Sequence, residues 1–358
     1  MTDTVLVAMS GGVDSSVAAA LLVEQGRQVI GVTMKTFCYG DAEGHGKSCC
    51  GLDGISDARR VADRLGIAHH VFDVEREFTR DVIDDFVSEY ASGRTPNPCV
   101  RCNGNTKFRD LLKRGSLLGC GTIATGHYAR IGVDGAGRSV LLRGVDDKKD
   151  QAYFLWSLPP ELLPRLSFPL GELTKPEVRD RARELGLATA EKPESMEICF
   201  VPSGNYVDVL EDRLESGHPA LAPGKLVTTT GEVVGDHPGF ARYTVGQRKG
   251  LPGGRGLPLY VLGTRPDRRE VVVGSFDELH RTELTVGELN WLAPPPREGE
   301  SVSVQIRHRA RAVPARIDSV GEDRVQLFLE EAQRAVTPGQ SAVMFRGEMV
   351  LGGGRICR

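Results

Sequence analysis

No run of about 18 uninterrupted apolar residues occurs anywhere in the 358-residue chain, so no membrane-spanning helix is expected. The opening residues, MTDTVLVAMSGG, lack the cationic start and small-residue cleavage site of a secretory signal. These two absences lead to the expectation of a cytoplasmic protein with no membrane partner. Cysteine is sparse, at eight residues, too few for a disulfide-built scaffold in a chain this long. In a reducing compartment a cysteine that matters serves catalysis, redox or metal chemistry, and the others are small buried hydrophobes. Net charge is small as well, -3 from 45 Lys and Arg against 48 Asp and Glu, which argues against coating nucleic acid by bulk charge and leaves only local basic faces for that purpose. Internal repeats and low-complexity tracts are absent. What remains, 40% hydrophobic and 26% charged residues, is the composition of an ordinary globular protein with two or three domains.

Strand-like and helix-like runs alternate in the first third. Residues 4–9 (TVLVAM), 28–35 (QVIGVTMK), 69–74 (HHVFDV) and 121–131 (GTIATGHYARI) read as strands; residues 15–25, 56–65 and 77–90 read as helices. The alternation predicts an α/β domain with a doubly wound parallel sheet, whose ligands sit at the carboxyl ends of the strands near a topological switch point. From about residue 205 turn signals crowd together, for example Thr230-Gly231 and Pro252-Gly253-Gly254, and predict a small central β-rich domain. Beyond about residue 284 the chain alternates strictly. Val302, Val304 and Ile306 oppose Ser303, Gln305 and Arg307, and Val325, Leu327 and Leu329 repeat the scheme, as in a small antiparallel β-barrel. The expected domains are residues 1–205, 206–280 and 281–358.

Between the first strand and the first helix lies Ser10-Gly11-Gly12-Val13-Asp14-Ser15-Ser16. Two glycines let backbone N–H groups converge on an anion, the helix N-terminus adds positive potential, and the three serine hydroxyls can donate hydrogen bonds. A plain Gly-rich turn is the alternative. The loop lacks the GK[ST] ending of a Walker sequence, so γ-phosphoryl transfer is not implied. It resembles the pyrophosphate loop of the ATP pyrophosphatase superfamily, whose members cut ATP between the α and β phosphates to adenylylate an oxygen. That resemblance implies ATP contacts from Ala8, Met9, Ser10, Gly11, Gly12, Val13, Asp14 and Ser15, with Asp14 helping to place Mg²⁺. Argininosuccinate, GMP, NAD and tRNA-lysidine synthases share such a loop, so it does not select a substrate.

Four further segments do discriminate: GRTPNPCVRCNGNTKF (93–108), KDQAYFL (149–155), ESMEICF (194–200) and FARYTVGQRKG (240–250). Together they resemble the tRNA-specific 2-thiouridylase family, which replaces the C2 oxygen of the wobble uridine in the tRNA anticodon by sulfur. The chemistry requires a leaving group at that carbon, supplied by adenylylation, and a sulfur nucleophile, supplied by a cysteine persulfide. The resemblance implies Cys199 as persulfide carrier and Cys102 as the second thiol, which reduces the persulfide or attacks it to leave a Cys102–Cys199 disulfide. It also implies a persulfide donor, such as a cysteine desulfurase or relay protein. This sequence departs from the pattern at Cys99, where the most familiar members carry aspartate. Two mechanisms stay open: a persulfide relay with Cys99 as a third thiol, and sulfide transfer from a 4Fe-4S cluster held by Cys99, Cys102 and Cys199. Cys38, Cys49, Cys50 and His45 form a second group whose spacing matches no common zinc pattern. Cys120 and Cys357 read as packing residues.

By the same resemblance Met34 and Gly126 touch the adenosine through backbone groups, Asn97 and Pro98 frame the extruded uridine, and Lys149, Asp150 and Gln151 contact tRNA. His127 reads equally as a hydrogen-bonded structural histidine. Arg307, His308, Arg309 and Arg311 predict one basic strand face for phosphates, and Arg242, Arg248, Lys249, Arg255 and Arg265 a second patch. The expectation is therefore an ATP- and Mg²⁺-dependent RNA sulfurtransferase, for which a monomer suffices. A different pyrophosphatase-loop ligase, such as a tRNA lysidine or deazaguanine synthase, and a non-catalytic nucleotide- and RNA-binding protein are the alternatives.

Overall fold

The computed structural model describes residues 4–36, 52–193, 198–201, 203–252 and 258–357. It divides into two compact units. The first comprises Met1–Val82, Cys99–Gly204 and Gly347–Val350; the second comprises Ile83–Pro98, Asn205–Arg346 and Leu351–Arg358.

The first unit is built on parallel strands β1 (Thr4–Ala8), β2 (Gln28–Lys35), β3 (Ala68–Asp73), β4 (Thr122–Thr125) and, after a hairpin of β5 (Ala129–Val133) and β6 (Ser139–Arg143), β7 (Leu166–Ser167). Their order is β3-β2-β1-β4-β7. β1 is apolar at successive positions because both faces are covered. Val5 and Val7 join a core with Val17 and Ala18 of the helix Val13–Glu24 and with Val178 and Ala182 of the helix Lys175–Glu184. Leu6 points the other way, toward the helix Phe108–Leu117, where a Cβ on Gly115 would lie 3.1 Å from its Cδ2. The doubly wound arrangement is thus present, and its order reverses between β1 and β4, which places the switch point there.

Three elements differ from the sequence expectation. The expected strand 121–131 is two strands: β4 stays in the parallel sheet, whereas β5 pairs antiparallel with β6. The break falls where Gly126 abuts the Asp14–Ser15 backbone, leaving no room for the sheet to continue straight. The expected helix 77–90 is Glu75–Phe78, a π-turn Thr79–Ile83 and Asp84–Ala91. Before the wider turn Phe78 meets Phe200 in the first unit, and after it Phe86 and Tyr90 meet Tyr206 in the second. Helix 56–65 begins earlier, as Leu52–Leu65, and this extension brings Gly54 against the Gly11 turn.

The second unit holds a four-stranded sheet of β8 (Gly224–Val227), β9 (Val233–His237), β10 (Tyr260–Arg265) and β11 (Glu270–Gly274) in the order β10-β11-β8-β9. It also holds β12 (His280–Trp291), β13 (Ser301–Gln305), β14 (Val313–Val320), β15 (Arg324–Arg334), β16 (Ser341–Arg346) and, from Leu351 on, β17 (Met349–Ile356). β12 pairs with both β15 and β17, closing a six-stranded antiparallel barrel. Val302, Val304, Ile317, Val325, Leu327 and Leu329 are buried, as the alternation predicts. Gln305 is the exception: it is also buried, with Nε2 donating to the carbonyls of Arg307 at 3.1 Å and His308 at 2.8 Å. Arg355 of β17 binds the carboxylates of Asp85 at 2.6 and 2.7 Å and Glu89 at 3.0 Å, fastening the helix Asp84–Ala91 within this unit.

Candidate active site

The expected phosphate cradle sits at the switch point. β1 ends at Ala8, Met9 is buried, and the chain turns through Ser10, Gly11 and Gly12 into the helix starting at Val13. Gly11 has φ +73°, and a Cβ there would overlap the Gly54 carbonyl oxygen, so only glycine fits. A helix leaves its first-turn N–H groups without intrahelical partners, which here presents Val13, Asp14 and Ser15 to an anion. The hydroxyls are arranged less simply than expected. Ser15 Oγ and Ser16 Oγ donate inward to the Gly12 carbonyl at 3.1 and 2.9 Å, and the Ser10 N–H donates to Ser15 Oγ at 3.2 Å. Only Ser10 of the three is exposed.

Asp14 is where the structure departs most from the sequence reading. Lys175 Nζ donates to both of its carboxylate oxygens, at 2.6 and 2.8 Å, and the Tyr128 hydroxyl donates to Oδ1 at 2.8 Å. A divalent cation would have to displace an ammonium from the loop's only carboxylate. The residues present therefore do not fit a protein-held Mg²⁺ at Asp14. The loop's cations are instead Lys175, itself buried, and Lys192, whose Nζ donates to the Gly11 carbonyl at 3.0 Å and pairs with Asp57. Burial pushes the Asp57 carboxyl up, but Lys192 and Arg60 outweigh it and hold the group below its ordinary value. Sequence reasoning missed Lys175, Lys192 and Tyr128. A signal existed for the first: Thr174 and Glu177 form a capping box that marks a helix start beside Lys175.

Met34, near the end of β2, and Gly126, just after β4, lie at carboxyl ends of the sheet. A Cβ on Gly126 would meet Asp14 C at 2.7 Å and Ser15 N at 2.8 Å. His127 Nδ1 lies 2.6 Å from Thr125 Oγ1. Burial, with the nearby Lys107 charge, keeps this imidazole well below its ordinary pKa, so it is neutral and structural.

Cys99 lies in the short helix Pro98–Arg101, and Cys102 opens a π-turn, Cys102–Lys107, that continues into Phe108–Leu117. Cys99 is exposed, while Cys102 and Cys199 are half-buried. The segment Cys102–Lys107 packs on the helix Glu75–Phe78, and so does the residue after Cys199: the Phe200 ring meets Phe78 edge-on at 5.9 Å. Two segments almost a hundred residues apart in sequence thus rest on one helical turn. Among the described residues no three His, Cys, Asp or Glu side chains converge to hold a metal ion. That arrangement gives the iron-sulfur alternative no support, since Cys99, Cys102 and Cys199 are all described. Glu194 to Glu197, Arg255 and the group Cys38, His45, Cys49 and Cys50 lie outside the described residues. Cys120 is buried, and Cys357 is half-buried at the end of β17.

The remaining predicted contacts separate. Asn97 and Pro98 belong to the second unit, where Gln340 Nε2 holds the preceding carbonyls of Thr95 and Pro96 at 2.9 and 3.1 Å. Asp150 turns inward: its carboxylate accepts from Arg143 Nη1 at 2.6 Å, Gly144 N at 3.1 Å and Ala152 N at 3.0 Å. Gln151 Oε1 accepts the Tyr128 N–H at 3.0 Å. Arg307 and His308 follow the end of β13 rather than lying on it, so the basic run is a turn and not a strand face. Gln305 Nε2 spans that turn, donating to the carbonyls of Arg307 and His308. In the other patch, Arg242 pairs with Glu211 and Arg265 with Glu270, which removes them from the free basic charge.

Residues 3–203 match the family model of the tRNA methyl transferase HUP domain, 209–275 that of the tRNA methyl transferase PRC-barrel domain, and 281–356 that of the aminomethyltransferase beta-barrel domain. The tRNA-specific 2-thiouridylase MnmA of Geotalea uraniireducens is 51% identical over 356 residues, 98% of this chain and 94% of that protein. Its namesake from Geobacter metallireducens is 49% identical over 356 residues, 98% and 96% of the two chains. Among solved structures, a 4-thiouridine synthetase–RNA complex with bound ATP has a TM-score of 0.35 at 17% identity, covering 59% of this chain and 50% of that one. The NMN synthetase of Francisella tularensis has a TM-score of 0.32 at 16% identity, covering 61% and 80%. Likenesses this distant do not select a function. Near-half identity along almost the whole chain, with all three domain models matched in order, is decisive: the chain belongs to the tRNA-specific 2-thiouridylase family.

Proposed function

We propose that this protein is an ATP-dependent tRNA 2-thiouridylase acting on the wobble uridine through a cysteine persulfide. The observation that carries the reading is the union, in one compact unit, of an anion-binding loop at the switch point with Cys102 and Cys199 on segments that share the Glu75–Phe78 helix. In the first step uridine O2 attacks the α-phosphorus of ATP. The new O–P bond forms, the bond to the β-phosphate oxygen breaks, and pyrophosphate leaves with that electron pair. The first-turn N–H groups at Val13–Ser15 and the ammonium of Lys175 supply the positive potential that stabilises the departing charge. In the second step the terminal sulfur of a Cys199 persulfide attacks C2 and AMP departs with the C–O electrons. The Cys102 thiolate then attacks Cys199 Sγ. This leaves a Cys102–Cys199 disulfide and the transferred sulfur on C2, and an external thiol reduces the disulfide before the next cycle.

A persulfide donor reloads Cys199. The relay is favoured over a 4Fe-4S cluster because the three cysteines do not gather into a metal-holding group. Residues 1–205 are assigned to catalysis, 206–280 to the central domain and 281–358 to tRNA binding, with Asn97, Pro98, Lys149, Arg307 and His308 as RNA contacts. A cytoplasmic monomer meets these needs; no described helix is long and apolar enough to cross a membrane. The test is mass spectrometry of nucleosides from tRNA incubated with the protein, ATP and a persulfide source. 2-Thiouridine is expected, and its loss is expected in Cys199→Ser with tRNA binding retained. No 2-thiouridine from the unaltered protein, aerobically or anaerobically, overturns the proposal.

A further inference from the structure

The segment 150–157 touches both halves of the chemistry. At one end the Gln151 N–H donates to the Tyr128 carbonyl at 2.9 Å and the Tyr128 N–H returns a bond to Gln151 Oε1 at 3.0 Å, while the Tyr128 hydroxyl reaches Asp14 of the phosphate loop at 2.8 Å. At the other end the segment grips the cysteine helix. Asn103 Nδ2 donates to the Phe154 carbonyl at 3.1 Å and Ser157 Oγ to the Val100 carbonyl at 3.0 Å. Gly104 completes the contact, because a Cβ there would lie 2.5 Å from Ser157 Oγ and 2.8 Å from the Ser157 carbonyl oxygen. These grips bracket Cys102, from Val100 to Gly104. Between the ends, Asp150 fixes the bend by accepting the Gly144 and Ala152 N–H groups, and Ala152, Tyr153 and Leu155 are fully buried.

Asn103 is an expensive way to hold two segments together. The side chain is buried, and its Oδ1 has no hydrogen-bond partner among the described residues. A half-satisfied buried amide is worse for stability than an apolar group of the same size, so packing alone does not call for asparagine. A donor fixed to one backbone carbonyl does set the distance and rotation of the turn that starts at Cys102. The turn is a π-turn, a local geometry that an ordinary helix does not adopt without such restraint.

We propose that Asn103 and Ser157 are positioning residues that lock Cys102 to the 150–157 segment, and that this segment sets the distance between the adenylylation loop and the sulfur-handling thiol. The inference rests on the assignment of Cys102 as the second thiol. Its prediction is a split between the two steps. Displacing a reacting atom by about 1 Å costs on the order of 100-fold in rate, and loosening this grip moves Cys102 without moving the loop. Pyrophosphate release should therefore stay within about twofold of the unaltered protein, while release of 2-thiouridine from its Cys199 adduct slows at least about tenfold in Asn103→Ala and about threefold in the milder Ser157→Ala.

The experiment is a single turnover of persulfide-loaded protein with ATP and tRNA transcript, following pyrophosphate and 2-thiouridine in the same quenched samples, with the thermal midpoint of each variant measured alongside. The expected result in Asn103→Ala is accumulation of tRNA joined through its C2 sulfur to Cys199, with pyrophosphate already released. Parallel loss of both products in a folded variant overturns the inference, and so does unchanged 2-thiouridine formation. If Asn103→Ala does not fold, a folded Ser157→Ala decides alone: no split between its two products refutes the positioning role. Absence of 2-thiouridine from the unaltered protein strikes instead at the proposed function, so the two failures are distinct.

Discussion

Gly126→Ala tests the proximity on which the adenylylation site depends. A Cβ at this position would lie 2.7 Å from Asp14 C, 2.8 Å from Ser15 N and 2.9 Å from Asp14 O, all backbone atoms that cannot rotate away. Carbon contacts settle at about 3.5 Å, so the closest pair must open by roughly 0.8 Å, and the end of β4 must part from the first turn of the helix Val13–Glu24. Overpacking of this kind costs about 1–3 kcal/mol, enough to measure by urea unfolding but not enough to unfold a domain of ordinary stability. The catalytic effect should be larger in proportion, because shifts approaching 1 Å in a reacting geometry cost on the order of 100-fold. We expect tRNA-dependent pyrophosphate release to fall between about tenfold and 100-fold. Gly121→Ala is the control: it immediately precedes β4, a Cβ there meets nothing within 4 Å, and it should change stability by less than about 0.5 kcal/mol and leave the rate unchanged. Equal rates in the two variants would refute the close approach of Gly126 to the loop.

Two further outcomes follow from charge. His69, His127 and His237 are each held below their ordinary pKa, in every case chiefly by burial. The fold takes up protons at these rings less readily than the unfolded chain, His127 least of all, so stability is present above the ordinary histidine value of 6.5 and is lost as pH falls below it. The fully buried His127 costs at most about 1.4 kcal/mol at one unit below that value, and urea midpoints at pH 7.5 and 5.5 should therefore draw closer in His127→Gln; an unchanged pH slope in that variant contradicts the assignment. The second concerns RNA. Arg309 and Arg311 have no carboxylate partner among the described residues, whereas Arg242 is paired with Glu211. Reversing both arginines to Glu should reduce the salt slope of tRNA binding by about one for each phosphate they neutralise, and Arg242→Ala should leave it unaltered. Equal effects would place the tRNA phosphates elsewhere.

The parts of the fold that the sequence made legible are those fixed by local periodicity. β2 falls on residues 28–35 as read, since its apolar run is bounded by Gly26 and by the change of texture after Lys35. The barrel follows from strict alternation because one face of each strand must enter a core. The misread elements are those whose local pattern is overridden by something distant. GTIATGHYARI is a good strand in isolation, but it breaks at Gly126 because the phosphate loop, more than a hundred residues earlier, occupies the space ahead. The run 77–90 has helical spacing throughout, and nothing in its local pattern marks the π-turn Thr79–Ile83, before which Phe78 packs on Phe200 and after which Phe86 packs on Tyr206.

The site was legible in the same sense. The loop and the cysteines are contiguous motifs, so they could be read, whereas Lys175 acts on Asp14 only because the helix Lys175–Glu184 packs beside the helix Val13–Glu24, and Tyr128 only because the chain after β4 passes against the Asp14–Ser15 backbone. The same physics changes the meaning of a motif that was read. Lys149-Asp150-Gln151 looks like a polar loop offered to RNA, yet the Asp150 carboxylate accepts three hydrogen bonds within its own unit and Gln151 completes a two-bond pairing with Tyr128. A carboxylate in that state gains nothing from an approaching phosphate, which like charge repels. What the carboxylate does in the fold is shape residues 144–157, and through Asn103 and Ser157 that shape reaches the segment of Cys102.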